Sequence, residues 1–271
     1  IRVAFGHAKD GRTDLKRFVL GLVTNQFGMP LFAKAFSGNE SDKNSIIHMI
    51  QKTQHALDFD DKNYWVADSA MYTENNIQLL GTEMKWITHV PATVGDIQEL
   101  LNADLDFIPA TDSRYAFYVT ELNYGGIPQR AVVVWSEEMR NRNEQTFERK
   151  LQKETAKAEK ELKRLMGKKF ACGPDAENEA KNWASKLPYH DLNDIQIVTV
   201  TEKAEKKRGR PKKDELLNHY FRIEGRIDIN EDALAEERRT FGRFVLASND
   251  VSLDPELMLN YYKGQQVVER G

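Results

Sequence analysis

Tyr64-Trp65-Val66-Ala67-Asp68 and Trp86-Ile87-Thr88-His89-Val90 decide the fold class of this chain. Each is a short run of strand-forming side chains, and the first stops abruptly at a carboxylate. A helical pattern from about Glu74 to Leu80 joins them. Upstream, Phe18 to Val23 reads as a buried strand, Asn25 to Pro30 as a turn punctuated by Gly28 and Pro30, and Leu31 to Phe36 as the returning arm of a hairpin. Ser37-Gly38-Asn39 ends that arm. Ile46, Ile47, Ile50 and Leu57 then recur at helical spacing over residues 44–57. Hairpin, helix, strand, helix, strand predicts an α/β fold with a mixed sheet over residues 1–91.

Downstream the style changes. Residues 115–122 and 130–136 read as a hairpin around Gly125-Gly126. From about Asn143 to Met166 the pattern is a long charged helix, with Phe147, Leu151, Ala158, Leu162 and Leu165 as its apolar positions. Glu137 to Phe170 carries 11 Lys/Arg against 7 Asp/Glu, which reads as a solvated face on an amphipathic helix. Strand-like segments Ile195–Thr201 and Tyr220–Ile229 flank a basic run. Phe244-Val245-Leu246-Ala247 returns to the buried-strand style of the first section. A last helix follows, with Asp254 as N-cap, Pro255 at its first position and Glu256 complementing its positive end.

Composition bounds the rest. The chain has 271 residues, 40% hydrophobic and 10% aromatic, enough to bury a core, and its net charge of −3 announces no partner. The single cysteine, Cys172, excludes an internal disulfide and a cysteine-rich zinc site, and suits a reducing cytosol. The longest apolar runs, Phe18–Val23 and Ala131–Trp135, fall far short of the ~20 residues of a membrane span. A cytoplasmic location is expected. The chain opens at Ile1 and stops at Gly271 in what reads as mid-helix, so a fragment of a longer protein is expected.

Three features could carry chemistry. Asp68 sits at the carboxyl end of its strand, where ligands gather in open α/β sheets, although a carboxylate there also serves as a turn cap. On the last helix Tyr262, Gln265 and Glu269 share one face at i, i+3 and i+7, as a functional or merely solvated stripe. Lys207-Arg208-Gly209-Arg210-Pro211-Lys212 reads as extended, because of its Gly and Pro, and as narrow enough for an A·T-rich minor groove, with lysines neutralising phosphates. A charged flexible loop remains the alternative.

Several blocks resemble one family. Gly6-His7-Ala8-Lys9-Asp10-Gly11-Arg12-Thr13-Asp14-Leu15-Lys16 with Val19-Leu20-Gly21-Leu22, then Pro30-Leu31-Phe32 and Gly38-Asn39-Glu40-Ser41-Asp42, resemble successive blocks of DDE transposases of bacterial insertion sequences. The group concerned carries a Tyr-Arg-Glu-Lys signature. Val66 to Met71 is similar to the block with its second catalytic Asp, and Phe244–Asn249 with Tyr262–Gly271 to its closing strand and catalytic-Glu helix.

The resemblance implies a ribonuclease-H-like core in residues 1–91 and 240–271, interrupted by a mixed α+β insertion over 92–239. It implies Asp68 and Glu269 as catalytic, metal-binding carboxylates, and Tyr262 and Gln265 as DNA contacts. Two Mg²⁺ ions would clamp the attacking and leaving oxygens while an element end is cut and joined to target DNA. Double-stranded DNA and further copies of the chain are the implied partners. Gln265 stands where the family has Arg, which weakens a phosphate contact to a neutral hydrogen bond. The first catalytic Asp would precede Ile1, and the Lys would follow Gly271. Two other readings stay open: a catalytically inactive DNA-binding remnant, and an interaction module built on the helix near residues 143–166.

Overall fold

The computed structural model describes residues 1–6, 14–56, 63–203 and 217–269, with the backbone alone at 203, 217 and 266–269. Its contacts form two compact units, residues 1–140 with 242–271, and residues 141–241.

The first unit begins with β1 (Ala4–Phe5), β2 (Lys16–Thr24) and β3 (Pro30–Ser37), which form an antiparallel sheet in that order. The turn predicted between residues 25 and 30 is present: Asn25 Oδ1 accepts from Phe27 N and Met29 N at 3.0 Å, and Gly28 takes a φ of 77°. Helix α1 (Asp42–Ala56) covers one face of this sheet. Gly21 makes that approach possible, since a Cβ there would stand 2.8 Å from Phe36 and 3.1 Å from Met49. The opposite face carries Phe18, Leu20 and Leu22, all exposed.

The larger sheet collects β4 (Trp65–Ala67), β5 (Trp86–Val90), β6 (Ile108–Pro109), β7 (Tyr115–Tyr124), β8 (Ile127–Ser136) and β11 (Arg243–Ser248) in the order β4-β5-β11-β8-β7-β6. β4 and β5 are parallel and every other pairing is antiparallel, so the sheet is mixed, as predicted. Helices α2 (Glu74–Leu80) and α3 (Ile97–Asn102) join α1 on one face. There Ile47, Ile77, Leu80, Trp86, Val133 and Val245 form one core. On the other face α7 (Pro255–Glu269) lays Met258 and Leu259 against Ile87, Val132, Val134 and Leu246. The continuous apolar runs of β5, β8 and β11 follow from this cover on both sides.

Gly125 and Gly126 close the β7–β8 hairpin with φ of 62° and 76°, the two left-handed positions of a type I′ turn. One boundary differs from the sequence reading. Residues 92–140 were expected in the insertion, yet β8 hydrogen-bonds β11 and so belongs to the main sheet. The fully buried run Ala131–Val134 needs strands on both its edges, and β7 and β11 supply them.

The second unit takes in α4 (Glu137–Met166) from Asn141 onward, with α5 (Gly173–Ala184), β9 (His190–Lys203), β10 (Leu217–Ile229) and α6 (Glu231–Arg239). β9 and β10 pair as an antiparallel ribbon. α5 packs on it through Ala176 and Ala180 against Ile223. A second small core joins Phe147, Tyr189 and Leu234. Among the described residues, no helix is long and apolar enough to cross a membrane.

Candidate metal centre

β4 runs parallel to β5, with Ala67 opposite Thr88, so its next residue, Asp68, emerges level with His89. The chain turns at once into a 3-10 turn, Ser69–Met71, and Asp68 is its cap. Ala70 N donates to Asp68 Oδ1 at 3.0 Å. The main-chain oxygen of Asp68 accepts from the Thr88 hydroxyl at 2.8 Å, which fixes the strand end to its neighbour. The capping role and the exposed strand-end position therefore coexist. The carboxylate is exposed, and Oδ2 has no protein donor among the described residues.

Strand alternation puts Asp68 on the α7 side of the sheet, because Val66, two residues earlier, packs in that core. His89 follows Ile87 onto the same side and is the one residue of β5 that is not buried. Burial holds its imidazole below the ordinary value, and the negative charge of Asp68 works against that shift. Sequence reasoning passed over His89; the period of two along β5 was the signal that could have found it. Its ring lies 6.1 Å from that of Phe244, which in turn lies 6.4 Å from Tyr262.

Helix α7 starts as predicted. Asp254 Oδ1 accepts from Leu257 N at 3.0 Å, and Pro255 is the first helical residue. Glu256 reaches sideways to Thr111, accepting from its N at 2.8 Å and its hydroxyl at 2.9 Å. Just before the helix, Leu253 O accepts from Arg130 Nη1 at 3.1 Å, at the Ser248 end of β11. Tyr262 is beside Phe244 at the other end of β11. The helix thus rises toward the end of the sheet where Asp68 emerges. Met258, Tyr262, Gln265 and Glu269 follow one another at intervals of four, three and four along it, and Met258 is fully buried. Gln265 Oε1 is buried without a hydrogen-bond partner among the described residues.

Glu269 is the last residue of α7, and its side chain lies outside the described residues, as does the whole segment Lys207–Lys212. Among the described residues, no three of His, Cys, Asp and Glu come together as a metal-binding group. Asp68 offers the hard oxygen that Mg²⁺ prefers, and one carboxylate does not make a centre. No family model, curated protein or solved structure matches the chain.

At the opposite end of the strands a second polar cluster gathers on Asp250. Asp250 Oδ2 accepts from the Tyr64 hydroxyl at 2.6 Å and from Lys85 Nζ at 2.9 Å, while Oδ1 accepts from the Ser252 hydroxyl at 2.6 Å. These donors, led by Ser252 and Tyr64, hold the Asp250 carboxyl well below the usual carboxylate range. Burial, and next the hydrogen bond to Asp250, pushes the Tyr64 phenol up.

Proposed function

We propose that this chain is part of the catalytic region of an insertion-sequence DDE transposase, acting on double-stranded DNA with Mg²⁺. The observation that supports the reading is the pairing of two positions. Asp68 stands at the carboxyl end of β4, and the helix that ends in Glu269 rises across β4, β5 and β11 toward that end. In this reading the fold is ribonuclease-H-like, and the three-stranded and six-stranded sheets are two parts of one core, joined through a strand that carries the first Asp. α1 packs on β2, on β3 and on the turn after β4, so it already touches both sheets.

Asp68 and Glu269 would share the ions, and Tyr262 and Gln265 would lie along the bound strand. Lys207, Arg208, Gly209, Arg210, Pro211 and Lys212 would follow the duplex backbone and its minor groove. A bacterial cytoplasmic setting and assembly of several copies on DNA belong to the same proposal. Gln265 favours a second reading, a remnant that binds DNA without cutting it, because a neutral amide replaces the family's cation there.

The test is Mn²⁺ and Mg²⁺ binding followed by calorimetry, with duplex DNA present, in the chain and in Asp68→Ala and Glu269→Ala. Both substitutions are expected to weaken binding of the ion. If neither does, the metal assignment is wrong. The chain by itself is expected to give no Mg²⁺-dependent cleavage of duplex DNA, since none of its residues matches the family's first catalytic Asp. Strong Asp68-dependent cleavage by this chain would show that no further carboxylate is needed.

A further inference from the structure

Helix α4 runs for 30 residues, and its two sides differ. Phe147, Ala158, Leu162 and Leu165 are buried. On the reverse side Arg149, Lys153, Lys157, Lys160 and Arg164 follow at intervals of 4, 4, 3 and 4 residues, all exposed. At 100° per residue these five fall within about 80° of one another, and Arg142 continues the line two turns earlier. Lys163 flanks it.

From Arg142 to Arg164 the acids of the helix keep away from this line. Glu144, Glu148, Glu154, Glu159 and Glu161 project to its flanks or toward the packed side, and Glu138 lies one turn before Arg142. Lys157 comes within 3.9 Å of Glu154. Among the described residues elsewhere in this unit, several cations are closely matched: Lys168 with Glu179 at 2.8 Å, Lys181 with Glu177 at 2.7 Å, Arg226 with Asp194 at 2.8 Å and Arg238 with Glu144 at 2.9 Å.

A helix face that only kept the protein in solution would mix both signs. This one sets like charges at i, i+4 from Arg149 to Lys153, Lys153 to Lys157 and Lys160 to Arg164, which destabilises the helix. A polyanion laid along the line reverses that penalty. From Arg149 to Arg164 the line is about 22 Å long at 1.5 Å per residue, with a cation roughly every 5–6 Å. Duplex DNA offers one charge per ~1.7 Å of its axis, so each side chain of the line has phosphates in reach.

We propose that the basic line Arg149-Lys153-Lys157-Lys160-Arg164 of α4 is a contact surface for the phosphate backbone of duplex DNA, separate from the segment Lys207–Lys212. The inference rests on the duplex-binding part of the proposed function and not on its chemistry of cleavage. The surface reads charge and not sequence, because it offers no aromatic or amide groups in the same line.

Binding of the full 271-residue chain to a labelled 30-base-pair duplex of arbitrary sequence, over a series of salt concentrations, tests this. The line variant carries Arg149→Gln, Lys153→Gln, Lys157→Gln and Lys160→Gln, since Gln keeps helix propensity. A control variant removes four cations elsewhere in the unit, through Lys168→Gln, Lys181→Gln, Lys186→Gln and Arg226→Gln. A third variant carries Arg208→Ala and Arg210→Ala. The line variant is expected to lose about tenfold or more in affinity and about 3–4 from the slope of log K against log salt, at ~0.9 per phosphate contact. Its circular dichroism is expected to show no loss of helix, and the control is expected to bind close to the parent.

Equal losses in line and control variants would reduce the effect to net charge and overturn the proposal. A line variant that binds like the parent, while the Arg208/Arg210 variant fails, would overturn it and leave the duplex-binding reading standing. A parent chain that ignores the duplex would sink both. Binding to a polyglutamate peptide or to phosphatidylserine vesicles in place of duplex would assign the surface to another polyanion and refute the one proposed here.

Discussion

The two sheets of the first unit are built from equally apolar strands and end in different surroundings. β8 and β11 are covered on both faces, by α1, α2 and α3 on one side and by α7 on the other, and Leu246 is fully buried. β2 is as apolar, yet α1 covers one face only. Phe18, Leu20 and Leu22 stand 55%, 61% and 44% exposed on the other. An apolar run thus marks a strand with the capacity to be buried twice, and whether it is depends on helices that arrive from elsewhere in the chain. The bare face also exceeds the scattered hydrophobics of an ordinary surface, since three large side chains stand in line on one strand.

The sharpest way to break this comparison is truncation. Leu246→Ala is expected to cost about 3 kcal/mol, because it leaves a cavity beneath α7, among Ile87, Val132, Val134 and Met258. Urea unfolding reads this directly. A cost under 1 kcal/mol would mean the larger sheet is not closed.

Next comes Asp250→Asn, expected to cost about 2 kcal/mol at pH 7, because hydrogen bonds from Tyr64, Lys85 and Ser252 all end on that carboxylate. Its folded-state value is lowered, so its stabilisation is full above the ordinary carboxylate range near pH 4. It fades as the pH falls toward the lowered value. Thermal unfolding of parent and variant should therefore converge on acidification, and a constant difference down to pH 2 would contradict the assignment.

Tyr72→Phe is expected to cost about 1–2 kcal/mol. It removes the 2.7 Å bond to Gln129 Oε1 and leaves that buried acceptor unpaired between the strands. Calorimetric melting of the variant checks it. The smallest effect is on the bare face: Leu20→Ala is expected to change stability by less than about 0.5 kcal/mol. A loss as large as that at Leu246 would show that something covers this face in solution.

Local signals in the sequence were legible. Asp254 followed by Pro255 marked the start of α7, Gly125-Gly126 marked the β7–β8 turn, and the stop at Asp68 marked the end of β4. Each acts over a few residues and follows from backbone sterics or capping. What stayed hidden depends on contacts far apart in the chain. Nothing local says that β11 lies between β5 and β8, that Asp250 meets Tyr64 across 186 positions, or that His89 comes level with Asp68. The place of β7 and β8 in the main sheet was hidden for the same reason. The hairpin of β7 and β8 looks self-contained until its partner strand is known, and that partner is written more than 100 residues later.

That late partner gives the molecule a timetable. β8 is complete at Ser136, and β11 does not begin until Arg243. At a synthesis rate of about 5–20 residues per second, a nascent chain spends roughly 5–20 s with the inner edges of β5 and β8 bare. Each is then an apolar strand without its central neighbour, the template on which a second nascent chain can pair. The second unit, written within that interval, has its own cores, but they join residues as far apart as Phe147 and Leu234, so it is complete only as β11 begins. Yield in cells should therefore answer to whatever shelters nascent strand edges during those seconds, and to how quickly the ribosome crosses residues 141–241.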